Sequence, residues 1–232
     1  MRVAALYDVH GNLPALEAVL ADVEREGVDR VVFGGDLTWG PQPHETLELV
    51  CSVEGAAYVR GNADREPDEW ERSCLSEEEI AFLQGQPPTV ELDGVLYCHA
   101  TPRSDDEVVT PATPDERLAE ILAGVEQRVV VAGHTHMQQN RVVGGTRFVN
   151  AGSVGLPYEG EIAAYWAILD GGEPDLRKTP LDADRVADVF RRSGWPRASE
   201  MLDERILHPA TREEATKVLE GRASAIFVTP SD

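Results

Sequence analysis

The chain has 232 residues and a formal net charge of −21, with 42 acidic residues against 21 lysines and arginines. This acidic balance argues against nucleic-acid backbones and anionic membrane surfaces as general partners. The N-terminal apolar run is too short for a signal peptide, and no stretch approaches the roughly 20 apolar residues that a membrane helix needs. The three scattered cysteines support neither a disulfide framework nor a thiolate zinc site. We therefore expect a cytoplasmic protein with one sizeable α/β domain and a small appendage.

The first part of the chain alternates strand and helix patterns. Asn12 can cap a helix that Gly27 follows, and glycine suits the left-handed turn after a helix. Short β-prone apolar runs lie on either side of this helix. The predicted elements are strands at Val3–Tyr7, Arg30–Phe33 and Ala56–Val59 and helices at Leu13–Glu26 and Pro43–Val50. This order is typical of parallel βαβ units.

The middle of the chain is rich in hairpin signals. Asp93-Gly94 and Gly144-Gly145 each separate two apolar runs, as in tight β-hairpins. A capping-box pattern at Thr113–Glu116 predicts a helix that runs to about Ala123, with Pro114 as its first residue. The predicted strands are Val90–Leu92, Val95–His99, Val129–Ala132, Arg141–Val143, Thr146–Val149 and Ala163–Leu169. Together these features predict a mixed sheet, or two stacked sheets, with helices outside.

After Pro180 the sequence changes to helical patterns, at Asp184–Arg192, Glu200–Leu207 and Glu213–Glu220. We therefore divide the chain into a main domain, residues 1–180, and a small helical C-terminal extension, residues 181–232, packed on the same domain. The extension carries no recognisable catalytic motif. Its expected role is packing, or a subunit contact in a homo-oligomer.

Polar side chains with metal-binding atoms follow most of the predicted strands. A single Asp there is more often a turn former or a helix cap, and a single His in a loop is more often solvated. Four of the six histidines nevertheless belong to this set, and α/β sheets bind ligands at the carboxyl ends of their strands. The residues are Asp8, His10, Asp36, Asn62, His99, His134 and His136. Taken together, they predict an assembled metal site.

The types of ligand narrow the choice of metal. Oxygen and imidazole ligands without thiolate suit Mn²⁺, Fe, Zn²⁺ or Ni²⁺ better than Ca²⁺, and we favour Mn²⁺. Seven side chains are too many for one ion that keeps open positions, but they suit two ions that share a carboxylate. Two such ions, roughly 4 Å apart, can polarise a phosphoryl group and hold a hydroxide that is nucleophilic at neutral pH. The sequence thus predicts a dinuclear centre that is able to act on a phosphoryl group.

Five motifs occur in a fixed order: Asp8-Val9-His10, Gly35-Asp36, Gly61-Asn62-Ala63-Asp64, His99 and Gly133-His134-Thr135-His136. Over about residues 1–170 this order resembles that of the calcineurin-like metallophosphoesterases. The stretches DVHGNLPALEAVL and NAGSVGLP are similar to the small bacterial and archaeal phosphodiesterase branch of that family. The resemblance implies an α/β fold of two stacked mixed β-sheets flanked by helices, a four-layer sandwich.

The resemblance also implies a role for each ligand. One ion would be held by Asp8, His10 and His136 and the other by Asn62, His99 and His134, with Asp36 bridging. A hydroxide between the ions would attack phosphorus in line with the leaving group, and the ions would stabilise charge on the phosphoryl oxygens. The expected catalytic residues are Asp36, Asn62 and His134.

Two further residues are candidates for substrate binding. Arg103 can reach a substrate phosphate by bidentate hydrogen bonds, or it can form a surface ion pair in this acidic protein. Asn12 is expected to cap the first helix and to steady the metal-ligand loop before it, beside the substrate. His44 is expected to be solvated on the surface.

Ala63 stands where the family motif has a histidine. That histidine is thought to stabilise the transition state or to protonate the departing oxygen, and such help is worth about 10²–10⁴-fold. Alanine can do neither, so the sequence favours substrates with good leaving groups. Asp64, the next residue, is assigned a structural role only.

Three functions remain open. The first is a phosphodiesterase acting on activated aryl diesters, cyclic nucleotides or dinucleoside polyphosphates. The second is a phosphomonoesterase acting on nucleotides or a phosphoprotein. The third is a non-catalytic interaction scaffold, as in the retromer subunit that shares this fold. Such scaffolds normally have eroded metal ligands, whereas this chain keeps all seven, so the two enzymes rank above the scaffold.

Overall fold

The computed structural model describes residues 1–226, with side chains described through residue 221. Residues 227–232, the end of the predicted extension, lie outside the described residues. The strands are β1 (Arg2–Leu6), β2 (Arg30–Phe33), β3 (Ala57–Tyr58), β4 (Thr89–Leu92), β5 (Val95–Cys98), β6 (Val129–Ala132), β7 (Gln139–Val143), β8 (Thr146–Asn150), β9 (Ala163–Asp170) and β10 (Glu173–Pro180). The helices are α1 (Leu13–Glu26), α2 (Pro43–Ser52), α3 (Asn62–Arg65), α4 (Glu69–Cys74), α5 (Glu77–Gln84), α6 (Asp115–Ile121), α7 (Ala183–Arg192), α8 (Ala198–Met201) and α9 (Arg212–Ile226), with a π-helical turn at Leu202–Ile206.

These strands form two five-stranded mixed sheets. In the first sheet, with the order β10-β9-β1-β2-β3, the strands β1, β2 and β3 are parallel, and β9 is antiparallel to both of its neighbours, β1 and β10. In the second, with the order β4-β5-β6-β8-β7, the strands β5, β6 and β8 are parallel between two antiparallel edge strands. The parallel strands of each sheet therefore end at a common edge.

Apolar residues on both faces of the strands build the layers. In β1, Val3 and Ala5 pack in the cluster between the two sheets, whereas Ala4 and Leu6 pack in the cluster that includes α1 and α2. Because successive side chains of a strand point to opposite faces, a central strand covered on both sides reads as a continuous apolar run. A third cluster, which contains Cys98, packs the outer face of the second sheet against α6. The predicted fold of two stacked mixed sheets flanked by helices is confirmed.

Both predicted hairpins are present, with Leu92 opposite Val95 and Val143 opposite Thr146. The strand β10 is not predicted by the sequence. Its residues, EPDLRKTP, include two prolines and four charged side chains, so neither apolar alternation nor β-propensity marks it. It becomes a strand because it pairs along its whole length with the buried strand β9.

Helix ends agree with the sequence at α1 and differ at α6. The Oδ1 atom of Asn12 accepts a hydrogen bond from the Ala15 N–H at 3.3 Å, and Gly27 is left-handed with φ 61°. The prediction for α6 was wrong at its start, since Pro114 precedes the helix, and the helix ends at Ile121, close to the expected end at about Ala123. The hydroxyl of Thr113 accepts from a backbone N–H of the preceding turn and donates to a C-terminal glutamate, so it does not cap α6.

The C-terminal extension folds back onto the main domain. Phe190 and Trp195 are buried in a cluster that also contains Leu156, and Trp39 of the main domain packs against the same cluster. The predicted helix Glu200–Leu207 is instead a short helix, α8, continued by the π-helical turn. The boundary at residue 180 remains a prediction. Among the described helices, none has the length and apolar character needed to cross a membrane.

We expect Phe190→Ala to destabilise the protein, because Phe190 is fully buried where the extension meets the main domain. Truncating a buried phenylalanine leaves a cavity and costs about 3–5 kcal/mol. Urea unfolding followed by circular dichroism measures this loss. Val142→Ala is the matched control, since Val142 is 58% exposed and its truncation should leave the unfolding free energy nearly unchanged. A loss at Phe190 as small as the control's would show that the extension is not packed as described.

Candidate metal centre

The predicted metal ligands lie just past the carboxyl ends of strands from both sheets. Asp8 and His10 follow β1, Asp36 follows β2, and Asn62 follows β3 at the first position of α3. From the second sheet, His99 follows β5, and His134 and His136 follow β6. Because β1, β2 and β3 are parallel, and β5 and β6 are parallel, each sheet delivers its ligands to one edge. The two edges meet at the site.

Five of these ligands have left-handed backbone, a conformation that residues with a Cβ seldom adopt. They are Asp8 (φ 53°), His10 (φ 51°), Asp36 (φ 53°), His134 (φ 64°) and His136 (φ 56°). Asp93, in the first hairpin, is the sixth non-glycine residue of this kind in the described chain. Such conformations cost of order 1–3 kcal/mol each and cluster at functional sites. The strain in this molecule is concentrated in the ligand loops.

A first group of possible metal ligands comprises Asp8, His10 and His136, whose donor atoms lie within 4.8 Å of one another. The Nε2 atom of His136 lies 3.4 Å from Asp8 Oδ1 and 3.2 Å from His10 Nε2. Asp8 is fully buried, and its Oδ1 accepts no hydrogen bond from the described residues. A buried carboxylate oxygen that faces imidazole nitrogens, without a proton donor of its own, fits a cation at this point.

A second group comprises Asp8, Asp36 and His99, also with donor atoms within 4.8 Å. The Nε2 atom of His99 lies 3.5 Å from Asp36 Oδ2 and 3.9 Å from Asp8 Oδ1. Asn62 Oδ1 is 3.0 Å from the same Nε2, and the ring of His134 packs edge-on against that of His99 at 5.2 Å. The structure thus brings all seven predicted side chains together, and Asp8 is common to both groups.

Backbone N–H groups hold the two central carboxylates in the same way. His134 N–H donates to Asp8 Oδ2 at 2.8 Å, and Ala63 N–H donates to Asp36 Oδ1 at 2.9 Å. In each residue the second oxygen faces the imidazoles; Asp36 Oδ2 is also 3.9 Å from His10 Nε2. Each carboxylate is therefore oriented by a loop that carries another ligand.

Backbone carbonyls fix the tautomer of two imidazoles. The Nδ1 of His99 lies 2.8 Å from the Gly34 carbonyl oxygen, and the Nδ1 of His136 lies 2.6 Å from that of Leu156. Since a carbonyl can only accept, each Nδ1 carries the hydrogen. When the ring is neutral, its Nε2 lone pair points into the centre, as it does in metal-binding histidines.

Burial and charge separate the protonation states of these histidines. Burial lowers the pKa of both His10 and His134 to about 4. Burial opposes protonation of His99 too, but the carboxylates of Asp36 and Asp8 raise its pKa to about 10. At neutral pH without metal, His99 therefore holds a proton between the carboxylates. A divalent cation would take over the charge-balancing role of that proton and release it.

Asp64 ties the loops of two ligands together. Its carboxylate accepts from the N–H groups of Asp36 (2.8 Å), Leu37 (3.0 Å) and Gly61 (2.8 Å). Gly61 allows this close approach because a Cβ there would overlap Asp36. Burial and the neighbouring Asp36 charge raise the pKa of Asp64 to about 6. The structural role that the sequence assigned to Asp64 is thus a brace between the Asp36 and Asn62 loops.

The centre opens into a cavity of about 570 Å³. Five of the predicted ligands line it: His10, Asp36, Asn62, His134 and His136. Ala63 lines it as well, so the position of the missing histidine faces the cavity. No sequence motif marks the remaining walls, which include Trp39 and Tyr158 and side chains of the extension.

Neither predicted substrate-binding residue reaches this cavity. The guanidinium of Arg103 is exposed and donates to Glu107 at 2.6 and 2.9 Å, which is the surface ion pair that the sequence left open. Asn12 is fully buried, and its amide donates to the Gly155 carbonyl at 2.9 Å while its oxygen caps α1. His44 is exposed beside Glu79. Asn12 therefore supports the loop from behind, and a substrate contact for Asn12 or Arg103 stays a prediction that this placement does not support.

The chain belongs to the calcineurin-like phosphoesterase superfamily. The model of the calcineurin-like phosphoesterase superfamily domain matches residues 1–171, which include every residue of the centre. Metallophosphoesterases use divalent metals, and the two groups of donor atoms fit such ions. The family and the site together support a hydrolase.

Known proteins resemble the chain over most of its length. An uncharacterized protein of Methanocaldococcus jannaschii is 24% identical over 242 residues, covering 88% of this chain and 96% of that protein. Phosphodiesterase YfcE of Escherichia coli is 26% identical over 185 residues, covering 71% of this chain and 85% of that protein. The crystal structure of a metallophosphoesterase from Sphaerobacter thermophilus has a TM-score of 0.75 at 25% identity, covering 90% of this chain and 100% of that chain. This last match extends beyond residue 171 into the C-terminal extension.

We expect Asp64→Ala to weaken metal binding, although Asp64 holds no metal. The substitution leaves three N–H groups of the ligand loops without their acceptor, and each buried unsatisfied donor costs about 1–3 kcal/mol. Loss of such a support typically lowers metal affinity about 10–100-fold. Titration of the folded variant with Mn²⁺ measures the change. Glu69→Ala, an exposed carboxylate on α4, is the control; equal Mn²⁺ affinity in both variants would contradict the brace.

Proposed function

We propose that this protein is a dinuclear-metal-dependent phosphodiesterase that acts on small phosphoesters. The observation that carries the proposal is a pair of donor groups that share the buried Asp8 and whose members His10, Asp36 and His136 line an open cavity. Such a pair suits two ions rather than one. The likeness to phosphodiesterase YfcE supports hydrolysis of diesters.

We assign one ion to three ligands and the second to three others. Asp36 lies between the two sets, because its Oδ2 is 3.9 Å from His10 Nε2 of the first and 3.5 Å from His99 Nε2 of the second. The first set is Asp8, His10 and His136, and the second is Asn62, His99 and His134. Oxygen and imidazole ligands favour Mn²⁺, with Fe, Zn²⁺ or Ni²⁺ as alternatives. Two bound ions supply an activated water and neutralise charge on the phosphoryl oxygens.

The protein itself contributes orientation and protonation control. The N–H groups of Ala63 and His134 bind Asp36 Oδ1 and Asp8 Oδ2 respectively. The other oxygen of each carboxylate, which faces the imidazoles, therefore keeps its direction while a substrate binds. His134 lines the cavity and is neutral at physiological pH, because burial lowers its pKa to about 4. We therefore propose that Asp36, Asn62 and His134 form the part of the site that substrate meets.

Ala63 favours diesters with good leaving groups over monoesters. Its methyl group faces the cavity where the family histidine would stand, and no proton donor is supplied from that position. Expulsion of a poor leaving group needs such a donor, whereas a nitrophenolate or a nucleotide phosphate departs with little help. A phosphomonoesterase that acts on nucleotides or a phosphoprotein is the alternative function.

Hydrolysis of bis-p-nitrophenyl phosphate beside p-nitrophenyl phosphate, with Mn²⁺ and with chelator, tests the proposal. We expect Mn²⁺-dependent hydrolysis of the diester to dominate. Asp36→Asn and His134→Ala should each lower kcat by at least about 10²-fold, since both remove groups at the reacting centre. His44→Ala, at an exposed histidine outside the cavity, is the control and should keep full activity. Dominant monoester hydrolysis would favour the alternative function, and absence of metal-dependent turnover would indicate a scaffold.

A second prediction concerns the alanine. Ala63→His should raise turnover of methyl phenyl phosphate by about tenfold or more and that of methyl p-nitrophenyl phosphate much less, because only the poorer leaving group needs protonation. Ala63→Gln adds a side chain of similar length that cannot donate a proton in this way, and it serves as the control. Equal gains on the two esters, or equal gains for both variants, would refute a missing acid at this position.

A further inference from the structure

Two arginines of the C-terminal extension line the cavity of the metal centre. They are Arg197, just before α8, and Arg205, in the π-helical turn. The sequence assigned no chemistry to this part of the chain. Apart from histidines, they are the only cationic side chains among the described residues that line the cavity.

Each arginine stacks on an aromatic ring that in turn contacts a metal-ligand histidine. The guanidinium carbon of Arg197 lies 5.1 Å from the ring of Trp39, and Trp39 meets His10 edge-on at 5.5 Å. The guanidinium carbon of Arg205 lies 5.4 Å from the ring of Tyr158, which stacks on His136 at 5.0 Å. One aromatic ring thus separates each guanidinium from an imidazole of the first donor group.

Both guanidinium groups keep hydrogen-bond donors available. Arg197 is exposed and uses Nε and Nη2 to bind Glu200 at 3.3 and 2.8 Å, which leaves Nη1 without a partner among the described residues. Arg205 is half-buried, and within the described chain it forms no ion pair. A guanidinium has five N–H donors and matches phosphate or carboxylate oxygens. Stacking on a ring fixes its plane without using these donors.

The rest of the cavity wall repels anions. Besides Asp36, the acidic side chains Glu66, Asp68 and Asp106 line it, together with Glu71, whose pKa burial raises to about 7. In a chain with a net charge of −21, an anionic group can be accommodated only where cations are placed for it. Within the cavity those places are the metal centre and the two arginines. The acidic residues therefore disfavour a second anionic group elsewhere in the cavity, and the two arginines are the cations outside the metal centre that can hold it.

We propose that Arg197 and Arg205 form a binding site for a second phosphate of the substrate, while the scissile phosphodiester lies at the metal centre. This inference rests on the proposed phosphodiesterase function and narrows its substrates to diesters that carry another phosphate group. The arginines act as specificity residues. The C-terminal extension, which completes the cavity wall, is the part of the chain that supplies this selectivity.

A matched pair of substrates isolates the second phosphate. Thymidine 5′-(p-nitrophenyl phosphate) and its 3′-phosphorylated derivative have the same scissile bond and the same leaving group. We expect the wild-type Mn²⁺ enzyme to hydrolyse the 3′-phosphorylated ester with a kcat/KM at least about tenfold higher, the effect of one charged hydrogen bond. In Arg197→Gln/Arg205→Gln the two values should converge to within about twofold.

Two further variants separate charge from packing. Arg205→Lys keeps a cation and should retain most of the preference, whereas Arg192→Gln, at an exposed arginine of α7 outside the cavity, should retain all of it. If the arginines only anchor the extension on Trp39 and Tyr158, the double variant will unfold at a lower temperature but will keep the wild-type ratio of the two esters. That result, or equal hydrolysis of both esters by the wild type, overturns the proposal.

A binding measurement tests the arginine site independently of hydrolysis. Thymidine 3′,5′-bisphosphate and thymidine 5′-monophosphate are titrated calorimetrically into Mn²⁺-loaded protein. The wild type should bind the bisphosphate about tenfold more tightly than the monophosphate. The double variant should bind the two ligands with equal affinity. If neither ester is hydrolysed, the proposed phosphodiesterase function fails. The calorimetric comparison of the bisphosphate with the monophosphate then decides by itself whether the arginine site exists. Equal affinities in the wild type would then refute that site.

Discussion

Two buried carboxylates, Asp8 and Asp36, impose the main physical constraint on this fold. Like charges placed together in a protein interior destabilise it unless positive charge and hydrogen bonds compensate. The compensation comes from around them: a backbone N–H fixes one oxygen of each, and His99 lies between the others. The strained left-handed ligand loops bring these groups together, and the packed sheets below hold the loops in place.

The sequence was sufficient for the parts of the structure that depend on short-range patterns. Alternating βα runs predicted the parallel strands, and Asp93-Gly94 and Gly144-Gly145 predicted the hairpins, because each is encoded within a few residues. The seven candidate ligands were recognisable for a related reason. Residues at the carboxyl ends of parallel strands must converge at one edge of a sheet, so their positions along the chain already imply their proximity.

Features that depend on distant parts of the chain could not be predicted in this way. The polar strand β10 forms because β9 pairs with it. The sequence assigned Asp64 only a structural role, and the three backbone N–H groups that it binds lie on loops distant from one another in the chain. Arg103 carried a plausible sequence signal, but Glu107 engages it on the surface. Arg205 carried none, because it reaches the cavity only after the extension docks on Tyr158 and Leu156.

Trp39 occupies a position with a spectroscopic consequence. Its indole contacts the imidazole of His10 on one side and the guanidinium of Arg197 on another, and Trp195 of the extension meets it edge-on at 5.2 Å. Indole emission responds to the charge of neighbouring groups. Trp39, one of four tryptophans in the chain, is therefore the indole whose emission we expect to change when the proposed centre or the arginine site is occupied.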